Sequence, residues 1–263
     1  MQLSPQTKPT HHSSNVYSEL VAAFVARPNH GGADRVQLYF TEHPEAPLVH
    51  NPAALQSVRE LRGGSETLLF RGYFQSPMYF SACQDVLENK LRGWLERTAR
   101  DAVDAWFRAH AVNPQSAFFV HVRLGDFVGN DAQLHGENAD RFLSVSLADW
   151  IGQGVCVQSA VAIVLSNDPD AVDIHHPCVA SALAAAGVRV ERVGVGELDE
   201  VASMLLMSDC RLGGIVPGST FSWWPAWLLL RAEPRATGRI YTPDPWSPGM
   251  NDRRRCDLCT MLI

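Results

Sequence analysis

Apolar and polar positions follow two rhythms along this chain. Short unbroken apolar runs of strand length, AFFVHVR from Ala117 and VAIVLS from Val161, stand between stretches where apolar residues return every three or four positions. TLLFRGYF from Thr67 reads as an earlier strand, and Ser76 before Pro77 predicts a helix start with proline at its first position. Phe80, Leu87, Leu91, Trp94 and Leu95 carry that helical period, Val103, Trp106, Phe107 and His110 continue it, and Asn113-Pro114 ends it. Residues 180–186 predict another helix with Gly187 as its stop, and Leu198, Val201, Met204 and Leu205 mark a further one. LGGIV and GRIYT supply two more short strands. Strand alternating with helix predicts a parallel sheet covered on both faces, the doubly wound α/β arrangement. No internal repeat interrupts this order. Residues 1–15, rich in Ser, Thr, Pro, Gln and His without periodicity, read as a loose tail, and residues 113–115 as the domain joint.

Composition narrows the class. With 263 residues, 46% hydrophobic and 19% charged, the chain can build a large core. A formal net charge of −6 gives no overall field for nucleic acid or an anionic membrane, so a phosphate-bearing ligand needs local positive groups. No uninterrupted apolar stretch reaches membrane-spanning length and residues 1–15 hold no apolar signal core, which reads as a soluble chain. Six cysteines are too sparse for a disulfide scaffold, and reduced thiols are the expectation. Cys256 and Cys259 form one C-x-x-C without a second pair at zinc spacing, and His175, His176 and Cys178 around Pro177 read as a loop entering a helix rather than as ligands. No metal site is expected.

In doubly wound sheets ligands gather beyond the carboxyl ends of the strands, and three runs end suggestively. In FFVHVRLGDF, His121 and Arg123 share one strand face, and Gly125-Asp126 makes the turn. Arg123 can fork onto a phosphate or pair with a carboxylate such as Asp126, and the segment leaves both readings open. His121 by itself suits a satisfied core position. In VAIVLSNDPDAV, Asp168 directly before Pro169 fits a helix cap better than a loop carboxylate facing a ribose or base. In GGIVPGSTFSWWPAWLLL, glycines loosen the backbone, Ser219, Thr220 and Ser222 add hydroxyls, and a helix begins. Its free N–H groups suit an anion. Pro225 places the helix start near Ser222. Trp223, Trp224 and Trp227 read as core.

Four segments in order, GYFQSPMYF at 72–80, HVRLGDF at 121–127, LSNDPDAV at 165–172, and MLLMSDC followed by STFSWWPAWL, resemble the successive motifs of the α-1,2-fucosyltransferases of glycosyltransferase family 11. The resemblance extends from about Leu69 to Trp246, where TPDPW resembles the family's closing segment. It implies a GT-B type fold of two Rossmann-like halves with parallel sheets: an incomplete acceptor-side half over residues 16–113 and a nucleotide-sugar half over 114–263. It implies that Arg123 binds the diphosphate of GDP-fucose, that Ser219, Thr220, Phe221 and Ser222 line the same pocket, and that His121 and Asp168 lie at or near the nucleotide. Asp126 ends the motif and is a candidate for the catalytic base, or for holding the turn and the arginine.

Departures accompany the matches. Leu124 stands where the family has a second arginine, Gly218 where it has Asn, and Pro225 where it has Gly. Nothing in the chain matches the family's opening Gly-Gly-Leu-Gly-Asn-Gln segment, and Gly31-Gly32 is not that motif. The expectation is transfer of fucose from GDP-fucose to a sugar hydroxyl of an oligosaccharide or glycoconjugate, with inversion and without a metal or other cofactor. The rival reading is a nucleotide-sugar-binding remnant, or a subunit completed by a partner chain. A phosphate-binding hydrolase lacks a paired nucleophile and base. A cytoplasmic location is expected, with peripheral membrane association left open, and a Golgi location only if an anchor precedes this sequence.

Overall fold

The computed structural model describes residues 37–41, 67–71, 77–124, 132–153, 159–232 and 238–243, of which 37–41, 67–71, 77–79 and 132–138 are described by their backbone alone. The chain divides at Val36, and every described residue lies in the unit Gln37–Ile263. The expected loose tail at residues 1–15, Gly31-Gly32 and the C-x-x-C pair all lie outside the described residues.

Two parallel sheets are present among the described residues. β1 (Gln37–Thr41) and β2 (Thr67–Arg71) pair in parallel from Gln37 opposite Thr67 to Thr41 opposite Arg71. A short 3-10 helix begins at Pro77, the proline read as a helix start, and runs into the 26-residue α1 (Gln84–Ala109). Then follow β3 (Ala117–Val122), α2 (Ala132–Gly152), β4 (Val161–Ser166), α3 (Val172–His175), α4 (Pro177–Ala185), β5 (Arg189–Arg192), α5 (Glu200–Asp209), β6 (Gly213–Ile215), α6 (Thr220–Arg231) and β7 (Arg239–Tyr241). The second sheet is five-stranded and all parallel, in the order β5-β4-β3-β6-β7. With β3 counted as the first strand, this is 3-2-1-4-5, the Rossmann order, and the direction of growth reverses between β3 and β6. The fold is the doubly wound, Rossmann-like α/β arrangement that the alternation of strand and helix predicts.

β3 is central, and all six of its residues are buried. Phe118, Val120 and Val122 point to one face and pack with Leu143, Leu147 and Trp150 of α2 and Val179 and Leu183 of α4. Phe118 stacks on Trp150 with ring centroids 4.1 Å apart. Ala117, Phe119 and His121 point to the opposite face, where α6 lies. Two glycines let β6 pair beside β3 and β7. A side chain on Gly214 would occupy the space of the Phe119 ring, and Gly213, at φ +92°, lies against the backbone of Arg239.

α1 buries Leu91, Leu95, Ala99, Val103 and Trp106 along one stripe and packs on α5, which packs on α6. Arg100 of α1 holds Glu96 through two bonds of 2.6 and 2.7 Å and reaches Asp209 of α5 at 2.7 Å. Arg231 of α6 binds Glu88 at 2.8 Å, so α1 is tied to both helices. Asn113 accepts from the Gln115 N–H and caps the 3-10 turn that leads into β3.

Several elements differ from the sequence reading. α2, β1 and β5 were not expected. The signal for α2 was Leu143, Leu147 and Trp150 at i, i+4 and i+7, diluted by the polar first half of the helix. β5 is an edge strand whose Arg189, Glu191 and Arg192 break the apolar run expected of a parallel strand. α4 starts three residues before 180 because Pro177 takes the first helical position. α1 ends at Ala109, before Asn113-Pro114. The Ala111 N–H donates to the Arg108 carbonyl (3.1 Å) and the Val112 N–H to that of Phe107 (2.9 Å), a Schellman cap with Ala111 at φ +48°. α4 ends in the same motif with Gly187 at φ +68°, which is why that stop was legible and the other was not.

Ala111 thus pays for a left-handed conformation that glycine adopts freely. Ala111→Gly should raise stability by about 0.5 to 1 kcal/mol, the steric relief exceeding the extra freedom given to the unfolded chain. Urea denaturation of the two proteins measures it, and a less stable variant would contradict the cap assignment.

Candidate functional site at the strand-order reversal

The strand order reverses between β3 and β6, and open α/β sheets take ligands beyond the carboxyl ends of the strands at such a point. β3 delivers His121 and Arg123 to it. β6 leads through Val216, Pro217 and Gly218 into the first turn of α6. The sequence separation is about a hundred residues, yet one hydrogen bond closes it: His121 Nδ1 lies 2.8 Å from Ser222 Oγ.

Ser222 Oγ also lies 3.3 Å from the Ser219 carbonyl, so the hydroxyl links the ring to the start of α6. His121 is 4% exposed, and burial, reinforced by the positive charge of Arg123, lowers its pKa to about 3. The ring is neutral at any pH near 7.

Of the residues expected at the site, His121, Arg123, Ser219, Thr220, Phe221 and Ser222 lie on the two segments flanking the reversal. The Phe221 ring tilts against that of His121 at 5.5 Å. Arg123 is half-buried and follows β3 directly. Ser219 occupies the N-cap position of α6, but its side chain caps no N–H. α6 begins at Thr220, two residues before the expected start, and Pro225 falls in its second turn, where its missing N–H takes a bond from the Phe221 carbonyl. A proline this early costs one internal bond without ending the helix. The tryptophans are structural as expected: Trp223 and Trp227 are buried, and Phe80 from the 3-10 segment packs against them and half-buried Trp224 at 5.3 to 6.1 Å.

Asp168 stands at the end of the neighbouring strand β4, exposed. It takes the N-cap position of the 3-10 turn Pro169–Ala171, but its side chain makes no cap bond, which corrects the capping reading. The turn is held by the backbone instead, Ala171 N–H donating to the Asp168 carbonyl at 3.3 Å and Asp168 N–H to Ser166 Oγ at 3.1 Å. Asp126 and the Gly125 turn lie outside the described residues. Leu124, at the family's second-arginine position, is 1% exposed and belongs to the core on the α2 and α4 face, away from His121. Sequence reasoning missed Asn167, whose Oδ1 accepts the Leu124 N–H at 2.8 Å. Its signal was a short carboxamide immediately after a buried strand.

His176 and Cys178 meet Asp140 instead of a ligand: His176 Nδ1 lies 2.7 Å from Asp140 Oδ1, and the Cys178 thiol, its pKa raised mainly by burial, lies 3.5 Å from the same oxygen. Among the described residues no group of three or more His, Cys, Asp or Glu side chains could hold a metal ion, and no helix is long and apolar enough to cross a membrane.

An open parallel sheet with an arginine and a helix start at its reversal point defines a Rossmann-like α/β domain. The family model of glycosyl transferase family 11 matches residues 56–233, and the chain belongs to that family. It is accordingly a glycosyltransferase, for which the family implies a nucleotide-sugar donor and a glycan acceptor. No curated protein and no solved structure matches the chain.

The buried histidine makes stability depend on pH. Its folded pKa, about 3, lies below the ordinary histidine value of 6.5, so the unfolded chain binds the extra proton first. The stabilisation is complete above about pH 6.5 and is lost as the pH falls toward 3, by roughly 1.4 kcal/mol per pH unit at most. Urea titrations at pH 7, 6 and 5 should show this slope, and His121→Gln should flatten it.

Proposed function

We propose that this chain transfers fucose from GDP-fucose to a sugar hydroxyl, forming an α-1,2 linkage to a galactoside with inversion at the anomeric carbon. The observation that carries the reading is the convergence of Arg123 and the first turn of α6 at the β3/β6 reversal, with family membership as its support. In the proposed reaction the acceptor oxygen bonds to the anomeric carbon as the bond from that carbon to the β-phosphate oxygen breaks. GDP leaves with the electron pair, and the acceptor proton passes to a base. Asp126 is the candidate for that base.

The leaving group gathers negative charge as the transition state forms. Arg123 answers it with a two-pronged, charge-assisted contact, and the N–H groups at the start of α6 add fixed dipoles that need no reorganisation. His121 contributes differently. Neutral and bonded to Ser222, it holds the start of α6 against β3 and leaves the arginine as the cation beside it. Asp168, exposed and with a side chain that makes no cap bond, is proposed to accept from a ribose hydroxyl or a base. The nucleotide is proposed to lie along residues 114–263, with residues 16–113 on the acceptor side.

Arg123→Ala should weaken GDP binding by about 2 to 4 kcal/mol and abolish transfer while the fold survives. Calorimetry with GDP, UDP and ADP, alongside circular dichroism, tests this: a folded variant that binds GDP like the parent removes Arg123 from the site, and a parent that prefers UDP or ADP removes GDP-fucose as donor. Binding without transfer would instead identify the nucleotide-sugar-binding remnant.

Charge stabilisation in this scheme comes from the arginine and the helix start, so transfer should persist in excess chelator. Release of GDP from GDP-fucose, followed with and without EDTA, provides the check. Activity lost to EDTA and restored by magnesium or manganese would replace the scheme with a metal-assisted one.

A further inference from the structure

β3 and β4 run in register from Ala117 opposite Val161 to Val122 opposite Ser166, and there the backbone ladder ends. Beyond it β4 turns away into the 3-10 turn Pro169–Ala171. β3 does not lose its partner at the same point. The Asn167 side chain takes over, its Oδ1 accepting the Leu124 N–H at 2.8 Å. Arg123 therefore sits between two pinned neighbours. Val122 is held by the ladder, while Leu124 is held by the Asn167 carboxamide through its N–H and by the core through its side chain, 1% exposed. Fixing the backbone on both sides fixes the direction of the Arg123 Cα–Cβ bond, which leaves the strand end on the face opposite Val122 and Leu124.

We propose that Asn167 is a positioning residue for donor binding: by extending β3 one step past the last ladder pair, it presents the Arg123 fork to the diphosphate. The proposal rests on the reading of Arg123 as the diphosphate ligand. It assigns Asn167 no contact with substrate. A two-pronged grip gains from preorganisation because each bond needs direction as well as distance, and a loose backbone gives up that gain. The requirement is an acceptor oxygen at this reach. Asp can meet it and Leu cannot, although Leu has nearly the same shape.

The test is a double-mutant cycle read by GDP calorimetry on the full chain: parent, Asn167→Leu, Asn167→Asp, Arg123→Ala and the Asn167→Leu/Arg123→Ala pair. Asn167→Leu should weaken GDP binding about tenfold, the loss expected for one directional hydrogen bond acting through a charged contact. Asn167→Asp should bind within about threefold of the parent, and in the Arg123→Ala background Asn167→Leu should change binding less than about twofold, because its intermediary is gone. Amide hydrogen exchange at Leu124 should quicken in Asn167→Leu and stay slow in Asn167→Asp. If Asn167→Leu does not fold, Asn167→Ala enters the same cycle. Equal losses from Asn167→Leu with and without Arg123, or no loss in either, would overturn the positioning role and leave the donor reading intact. A parent that fails to bind GDP, or an Arg123→Ala variant that binds it unchanged, would overturn the donor reading and this proposal with it.

Discussion

A single polar pair in an apolar interior, His121 against Ser222, is the constraint on which the site depends. β3 is buried on both faces, so any polar group it presents must find a partner or remain desolvated and unsatisfied. Ser222 satisfies it only if α6 begins close against the end of β3. Phe119 and Gly214 make that approach feasible, the ring of one filling the space the other leaves. The same burial holds His121 neutral, with Arg123 adding to the effect. A protonated histidine here would bring a second positive charge beside the arginine and would have to break its own desolvation constraint to do so.

Charge in this protein is local. The chain is negative overall, at −6, and three of its arginines tie elements together: Arg100 binds Glu96 and Asp209, Arg231 binds Glu88, and Arg192 of β5 binds Asp173 at 2.6 Å. Such ties between half-buried groups contribute modestly and serve chiefly to fix geometry. Arg123 differs by its place at the strand-order reversal. The absence of a second arginine at position 124 has a packing explanation, since that side chain turns to the α2 and α4 face and fills the core. A charge at this position would be buried among Leu143, Val172 and their neighbours unless the strand end changed its course.

The edges of the fold follow the same logic of satisfied backbone. β4 ends where Ser166 takes the Asp168 N–H and Asn167 takes the Leu124 N–H, so the strand end turns without leaving either donor bare. α1 ends in a Schellman cap, and the carbonyls of His110 and Ala111 that it leaves receive the Arg189 guanidinium of β5. This couples the end of the longest helix to the edge strand.

The sequence by itself determined the elements whose signal is local. The unbroken apolar runs gave β3 and β4, Gly187 gave the α4 stop, and the alternation of strand and helix gave the parallel class, because each depends on period and backbone freedom within a few residues. Four ordered motifs singled out the residues flanking the β3/β6 reversal, and with them the family. What tertiary structure decided depends on partners distant in sequence. β5 is a strand because β4 offers it a ladder, despite its charges. α2 is amphipathic only against a face of β3 and β4 that no local window contains. The Asp168 side chain caps nothing because Ser166 and the backbone already hold its turn, and Asn167 has a role only where β3 ends 43 residues earlier. Local preference sets which element a segment can form, while desolvated donors and acceptors decide which distant segments must meet.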